Sequence, residues 1–226
     1  EVIEAAHPIP DQRGLTTAHR LAELATVADE KTLIINCISG GASALLPYPL
    51  DPQSSAGVAA ISLTDKQQLT SLLLGCGAPI EEINCVRKHL SALKGGRFLR
   101  LAAPARSLNF ILSDVVGDDL GSIASGLTSA DPSTFSDALS IIDRYQLRSC
   151  TPAGILAALE QGQAGNIPET PKEGDPCLSY ATNILIGTNR QALLAAQHQA
   201  QQFGYHTRAG SVIITGEARN AARYLA

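Results

Sequence analysis

Short β-branched apolar runs alternate along this chain with segments of helical periodicity, and that alternation restricts the available folds more than any other feature. "KTLIINCI" (31–38), "LNFILSD" (108–114), "TNILIGTN" (182–189) and "SVIITGEAR" (211–219) read as strands or strand-to-helix junctions. The first is apolar on both faces, as strands buried in a parallel sheet are. Between them, Thr64 with Gln67 predicts a capping box for a helix through Leu74, with Leu69, Leu72 and Leu73 on its buried side. Pro79 opens a helix from Ile80 to Lys94, stopped by Gly95-Gly96. Asp131-Pro132 starts another, in which Phe135, Ala138, Leu139, Ile142 and Tyr145 recur at helical spacing. Thr151-Pro152 starts one through about Gln161, and 190–203 forms one closed by Gly204. The pattern implies an α/β fold: a Rossmann-like, parallel or mostly parallel sheet with helices on both faces.

The Gly- and Pro-rich stretch from about 162 to Cys177 reads as a long surface loop. It divides the chain into residues 1–165, the main part of the α/β domain, and 166–226, a linker with the last strand–helix units. With 45% hydrophobic and 17% charged residues the chain falls in the soluble globular class. A net charge of −4 without a basic cluster excludes a general nucleic-acid binder. The apolar runs are too short to span a bilayer and no charged-then-apolar leader is seen, so a cytoplasmic location is expected. Five scattered cysteines without a C-x-x-C pair read as reduced thiols, most of them in or near the core. The chain starts at Glu1, contains no methionine and stops inside the helical "GEARNAARYLA", as a fragment of something longer would.

In a doubly wound sheet, ligands gather at the carboxyl ends of the strands. Four such ends carry polar turns: Ser39-Gly40-Gly41, 113–119, Gly187-Thr188-Asn189 and Gly216-Glu217. "SGGAS" suits a phosphate cradle, in which backbone N–H groups approach an anion, the next helix adds its positive end, and Ser39 and Ser43 donate. It is neither the dinucleotide nor the Walker A motif, and a ligand-free tight turn reads equally well. On the helix from Ile80, Asn84, Arg87, Ser91 and Lys94 form a polar stripe about 90° from the apolar one. Arg87 and Lys94 have no acid at helical spacing to pair with, so a bound anion is the favoured partner over a merely solvated face. Lys94-Gly95-Gly96-Arg97 extends this edge into a turn that could swing a cation toward a phosphate. His89 falls on the other side and reads as structural or exposed. "SDVVGDD" suits Mg²⁺, which prefers one or two carboxylates with waters and phosphate oxygens; one of its three aspartates is expected to serve as a cap. His7 and Asp11 lie in a proline-stiffened loop, either on a ligand or holding the loop.

Together "HPIPD", "CISGGASALL", "INCVRKHLSALKGGR", "ILSDVVGDDLGSIASG" and "GEAR" resemble the glycerate 2-kinases whose C-terminal part is called the MOFRL domain, in order and spacing along the whole chain. The resemblance implies a two-domain enzyme that phosphorylates D-glycerate at its 2-hydroxyl, dependent on ATP and Mg²⁺. On that mechanism, backbone amides of Ser39, Gly40 and Gly41, with Ser43, are expected to hold ATP phosphates, and Asp114 and Asp118 to bind Mg²⁺ directly or through water. Arg87 and Lys94 neutralise the transferring group or the carboxylate, and Asp114 could orient the attacking hydroxyl. Asn84 joins the phosphate-binding set, with Asn189 and Glu217 as weaker ribose or substrate contacts. Ala42 stands where the family has a third glycine, and Leu127 where it has proline. The family's N-terminal lysine and MOFRL arginine have no counterpart here, so this chain alone could bind without turnover. A hydroxypyruvate reductase is the first alternative, although the dinucleotide fingerprint it requires is missing. A non-catalytic module for phosphorylated metabolites is the second, and a homodimer is left open.

Overall fold

Three parallel strands organise the structure, a computed structural model that describes residues 1–7, 9–51, 60–210, 214 and 218–225. They are β1 (Leu33–Ile38), β2 (Arg106–Leu112) and β3 (Ala181–Gly187), in spatial order β1-β2-β3. The helices are α1 (Gln12–Thr26), the single turn α2 (Ala42–Leu45), α3 (Leu63–Gly75), α4 (Ile80–His89), α5 (Arg97–Ala102), α6 (Phe135–Arg144), α7 (Ala153–Gln163), α8 (Asn189–Gln202) and α9 (Ala218–Leu225). The chain is therefore α/β with a parallel sheet, as expected. The fourth expected strand, in "SVIITGEAR", falls largely outside the described residues, as does Glu217. None of the described helices is long and apolar enough to cross a membrane.

β1 departs from the expected burial on both faces. Side chains alternate along a strand, and Ile38 is buried while Leu33 and Ile35 are 56% and 59% exposed. On the inner face the register places Asn36, Asn109 and Asn183 side by side across all three strands. Asn36 Nδ2 donates to Asn109 Oδ1 at 2.7 Å, and Asn109 Nδ2 donates to Asn183 Oδ1 at 2.9 Å. Asn183 Nδ2 continues the ladder to the Thr128 carbonyl at 2.9 Å. A slip of one residue would turn this row of amides to the other face, so the ladder pins the register.

The buried apolar residues form two clusters. One gathers Leu69, Leu73, Ile83, Val86, Phe135, Ile142, Ile155 and Leu159 from α3, α4, α6 and α7. The other packs Ala18, Ala22, Phe98 and Leu99 of α1 and α5 against Ile38 and Ile111 of the sheet. Leu127 also belongs to it, at 5% exposure, so the residue standing for the family's proline is a core residue.

Three helix boundaries differ from the reading above. α3 begins earlier because Ser62 and Asp65 form the capping box, while Gln67 donates to the Pro10 carbonyl instead. α6 is capped by Thr134 and Asp137; Asp131 is fully buried and pairs with Lys88 at 3.3 Å. α4 ends at His89, five residues before Lys94, because the chain there pairs with another segment. Leu50 N–H donates to the Leu90 carbonyl and Ala92 N–H to that of Tyr48, around an antiparallel bridge between Pro49 and Ser91. Ser91 Oγ also accepts from the Leu93 and Lys94 amides, a local alternative to the helical ladder.

The loop after α7 is knitted into the molecule. Glu169 accepts from His89 Nε2 and from the Phe135 amide, Thr170 donates to Asp131, and Ile167 and Thr170 are buried. His89, fully buried, is structural: its Nδ1 also meets the Cys85 carbonyl at 2.8 Å. All five cysteines are free, but only Cys85 and Cys177 are buried, while Cys37 and Cys150 are exposed.

Candidate functional site

The carboxyl ends of β1 and β2 open into one cleft. β1 runs into Ser39-Gly40-Gly41, and β2 into Ser113-Asp114 beside it. The two turns meet closely at Gly40, where an added Cβ would overlap Asp114 Oδ2 and lie 2.9 Å from its Cγ. A side chain at this position would have to displace the Asp114 carboxylate. The cavity between them has a volume of about 660 Å³ and is lined by His7, Gly40, Gly41, Ser43, Asn84, Arg87, Asp114 and Asp119, with others.

Hydroxyl and amide groups tie the cleft walls together. Ser43 Oγ lies 2.6 Å from Ser125 Oγ, which donates to Asn84 Oδ1 at 3.1 Å. Ser125 belongs to a strained turn in which Ala124 and Ser125 both have φ near the left-handed region, 53° and 54°. That turn also receives the Gly95 amide at the Ser125 carbonyl, and Gly96 N–H donates to the Gly126 carbonyl.

Deeper in, Ser43, Ala44 and Arg87 pass from this cavity into a crevice of about 30 Å³ that Lys66 and Lys94 also line. Lys94 is 3% and Lys66 8% exposed. Their ammonium groups donate to backbone carbonyls, Lys94 to Leu46 at 2.8 Å and Lys66 to Leu90 at 3.0 Å. Among the described residues, Lys66, Arg87 and Lys94 have no carboxylate partner. Burial, with Arg87 beside it, pulls the Lys94 ammonium down to about 7. Burial, then Lys94 and Arg87, drives Lys66 well below the usual lysine range. Burying the Lys66 and Lys94 ammonium groups, with Arg87 half-buried beside them, is costly unless a ligand supplies the opposite charge.

The structure brings Gly40, Gly41, Ser43, Asn84, Arg87 and Asp114 together around one cavity, with His7 and Asp119, whereas Lys94 and Lys66 line the adjoining crevice that shares Ser43 and Arg87 with it. Ser39 is exposed at the mouth, lining the neighbouring cavity with Gly40. Asn189, at the start of α8, is exposed and lines neither cavity. Asp118 is off the cleft at the end of a 3₁₀ turn, with φ of 55°, so Asp119 faces the cavity in its place. Asp119 accepts from the Gly121 amide and Ser122 Oγ, holding its own turn. Asp11 is a helix cap, accepting from the Gly14 amide at 3.0 Å.

Two expectations need correction. α2 is one turn of four residues and adds little dipole to the glycine loop. Arg97 cannot swing: it is 7% exposed, its guanidinium lies 5.8 Å from the Phe135 ring centroid, and the Gly95 and Gly96 amides are both bonded. The missed residue, Lys66, had a signal, since 66, 69 and 73 share the buried face of α3.

The sequence profile of the family described as "Domain of unknown function (DUF4147)" matches residues 1–160. The chain belongs to this family. It is 37% identical over 225 residues to "Glycerate kinase" of Rattus norvegicus, covering 99% of this chain and 40% of the relative. It is 38% identical over 226 residues to "D-glycerate 2-kinase" of Thermotoga maritima, covering 100% and 49%. A relative in Agrobacterium vitis, 39% identical over 227 residues, covering 100% and 48%, bears a provisional hydroxypyruvate reductase name. The crystal structure of a glycerate kinase from Thermotoga maritima superposes with a TM-score of 0.79 at 38% identity, covering 98% of this chain and 49% of that one. The chain thus spans about half the length of the curated relatives it matches.

Proposed function

We propose that this DUF4147 chain carries the catalytic cleft of a glycerate kinase that transfers the γ-phosphoryl group of ATP to the 2-hydroxyl of D-glycerate. The observation that carries this reading is the trio of Lys66, Arg87 and Lys94, without a carboxylate partner among the described residues, in a crevice joined through Ser43 and Arg87 to the cavity at the glycine loop. A small acid with adjacent hydroxyls and a polyphosphate are the anions such a cleft suits. Backbone amides of Gly40 and Gly41, with Ser39 and Ser43 at the edges, would hold the phosphates. Arg87 and Lys94 would neutralise the transferring group or the glycerate carboxylate, and Asn84 would hold Ser43 in place through Ser125.

Among the described residues no group of three or more His, Cys, Asp or Glu side chains converges as a self-sufficient metal cage. The exposed carboxylate of Asp114, with Asp119 across the cavity, instead fits a hydrated Mg²⁺ that keeps waters and phosphate oxygens as ligands. When bound, Mg²⁺ would offset charge on the phosphates. Asp114 would also be placed to take the proton of the attacking hydroxyl as its oxygen bonds to phosphorus and ADP leaves. Positioning and charge neutralisation supply most of the acceleration in such transfers. In the relatives' longer chains, further groups would join from the segments this chain does not span, the MOFRL arginine among them.

The test is phosphorus NMR of the full-length protein with Mg-ATP and D-glycerate. Formation of 2-phosphoglycerate supports the reading, as does a Lys94→Ala variant that loses turnover while keeping its fold. Consumption of NADH with hydroxypyruvate, and none of ATP with glycerate, would replace it with the reductase.

A further inference from the structure

A second cavity, of about 740 Å³, lies between α1 and the end of β1 and meets the charged cleft at Gly40, which lines both. Its character differs from its neighbour's. Leu21, Ile35, Ile38, Leu46 and Leu127 contribute apolar surface to it, and Asn36 and Glu4 are among its polar lining residues. Its one arginine, Arg13, already pairs with Asp11 at 2.7 Å. We propose, building on the kinase reading, that this cavity takes the nucleoside end of the nucleotide, with the base against the apolar wall and the phosphates crossing Gly40 into the charged cleft.

The chemistry sorts the ligand's two ends. A phosphate chain gains from Arg87 and Lys94 and would be stranded among leucines. A flat, uncharged base gains from apolar contact and needs few polar partners, as ligand pockets of this volume provide. The sheet's amide ladder adds a specific feature. Asn36 Nδ2 is committed to Asn109 Oδ1 and to Ser107 Oγ, at 2.7 and 3.1 Å, which fixes the orientation of the amide. Its Oδ1 accepts no hydrogen bond among the described residues, leaving a fixed acceptor in the cavity wall. The exocyclic amino group of adenine is a donor of the matching kind. The ladder would then serve two ends, pinning strand register and presenting one amide oxygen to the base.

Cys37, on the face of β1 opposite Asn36, lines the rim of this cavity and gives a probe there. It is exposed, whereas burial pushes the thiol of Cys85 up to about 11, and burial with Asp175 beside it pushes Cys177 up to about 12, leaving both unreactive near neutrality. Cys150, exposed between α6 and α7, is the internal control. The full chain is treated with N-ethylmaleimide at pH 7.5, and each cysteine's rate is followed by peptide mass spectrometry. Saturation with Mg-ATP, verified by calorimetry, is expected to slow Cys37 at least tenfold and leave Cys150 unchanged. Saturating Mg-tripolyphosphate, which has phosphates but no base, is expected to leave both rates unchanged. Unaltered Cys37 reactivity with ATP bound overturns the placement while the kinase reading stands. Equal protection by tripolyphosphate does the same, putting phosphates in this cavity. Absence of ATP binding in the calorimeter overturns both. A Cys37→Trp variant should weaken Mg-ATP binding at least tenfold without altering D-glycerate binding; undiminished ATP affinity would also overturn the assignment.

Discussion

Lys94 should make the protein more stable as the solution becomes more alkaline, and the size of the effect follows from its burial. Its ammonium titrates near 7 in the fold, against an ordinary value of 10.5 in the unfolded chain. Below pH 7 both states hold the proton, and the full cost of burying the charge is present. Between the two values the unfolded chain keeps a proton that the folded chain has released, so stability rises with pH, by at most about 1.4 kcal/mol per unit. From pH 7 to 8.5 the sum is roughly 1.5 kcal/mol, because half of the folded molecules are still protonated at the start. Above about pH 9 the neutral thiols of Cys85 and Cys177 act in the opposite direction, as they ionise first in the unfolded chain. The window therefore closes at 8.5. Urea melts of wild type and Lys94→Met across it isolate the effect. Lys66, itself held down in part by Lys94, contributes with the same sign to both proteins, so the difference between the curves reports mainly Lys94. The Leu46 carbonyl, left without its donor, costs the variant about 1–3 kcal/mol at every pH and does not alter the slope. The wild-type curve should climb about 1.5 kcal/mol more than the variant's. Parallel curves would mean that Lys94 is solvated or paired, and the argument for an anion site would lose its main support.

Two more predictions rest on particular contacts. Asp131→Ala strands the buried Lys88 ammonium and should cost about 3–5 kcal/mol, lowering Tm by roughly 6–20 °C, with adding Lys88→Met recovering more than half. A double variant as unstable as the single one in thermal melts would assign the loss to the hydrogen bonds from Ser133 and Thr170 instead. Gly40→Ala places a methyl against Asp114 without requiring a left-handed backbone, so phosphoryl transfer should fall on the order of 10²-fold at an almost unchanged Tm. Activity near wild type would show that Asp114 can move without consequence.

Much of the architecture was legible in the sequence because it is set by near neighbours. β-branched runs made strands, apolar spacing placed Phe135, Ala138, Leu139 and Ile142 inside α6, and Gly40 and Asp114 stood at strand ends where a parallel sheet collects ligands. The lack of local acids around Arg87 and Lys94 was equally visible, and the fold leaves both without a carboxylate among the described residues. At the start of α3 the local pattern pointed to Thr64 and Gln67, but Ser62 and Asp65 form the box because Gln67 is drawn to the Pro10 carbonyl, a contact from a distant segment.

What the tertiary structure decided were relations between residues far apart in the chain. α4 stops at His89 because 48–50 pair with 90–92, a competition no helical pattern records. Lys66 reaches Lys94 across 28 positions only because α3 packs over the end of α4, and Arg97 is lost to the site because Phe135 stacks beneath it.

In the end, residue order determined which segments coil, which extend and which glycine turns stand at the sheet's rim, since those choices depend on interactions within a few residues. Three-dimensional packing determined which charges are stripped of water together and which amides line up across strands. Desolvation and register are properties of the assembled neighbours, and no single stretch of this chain contains them.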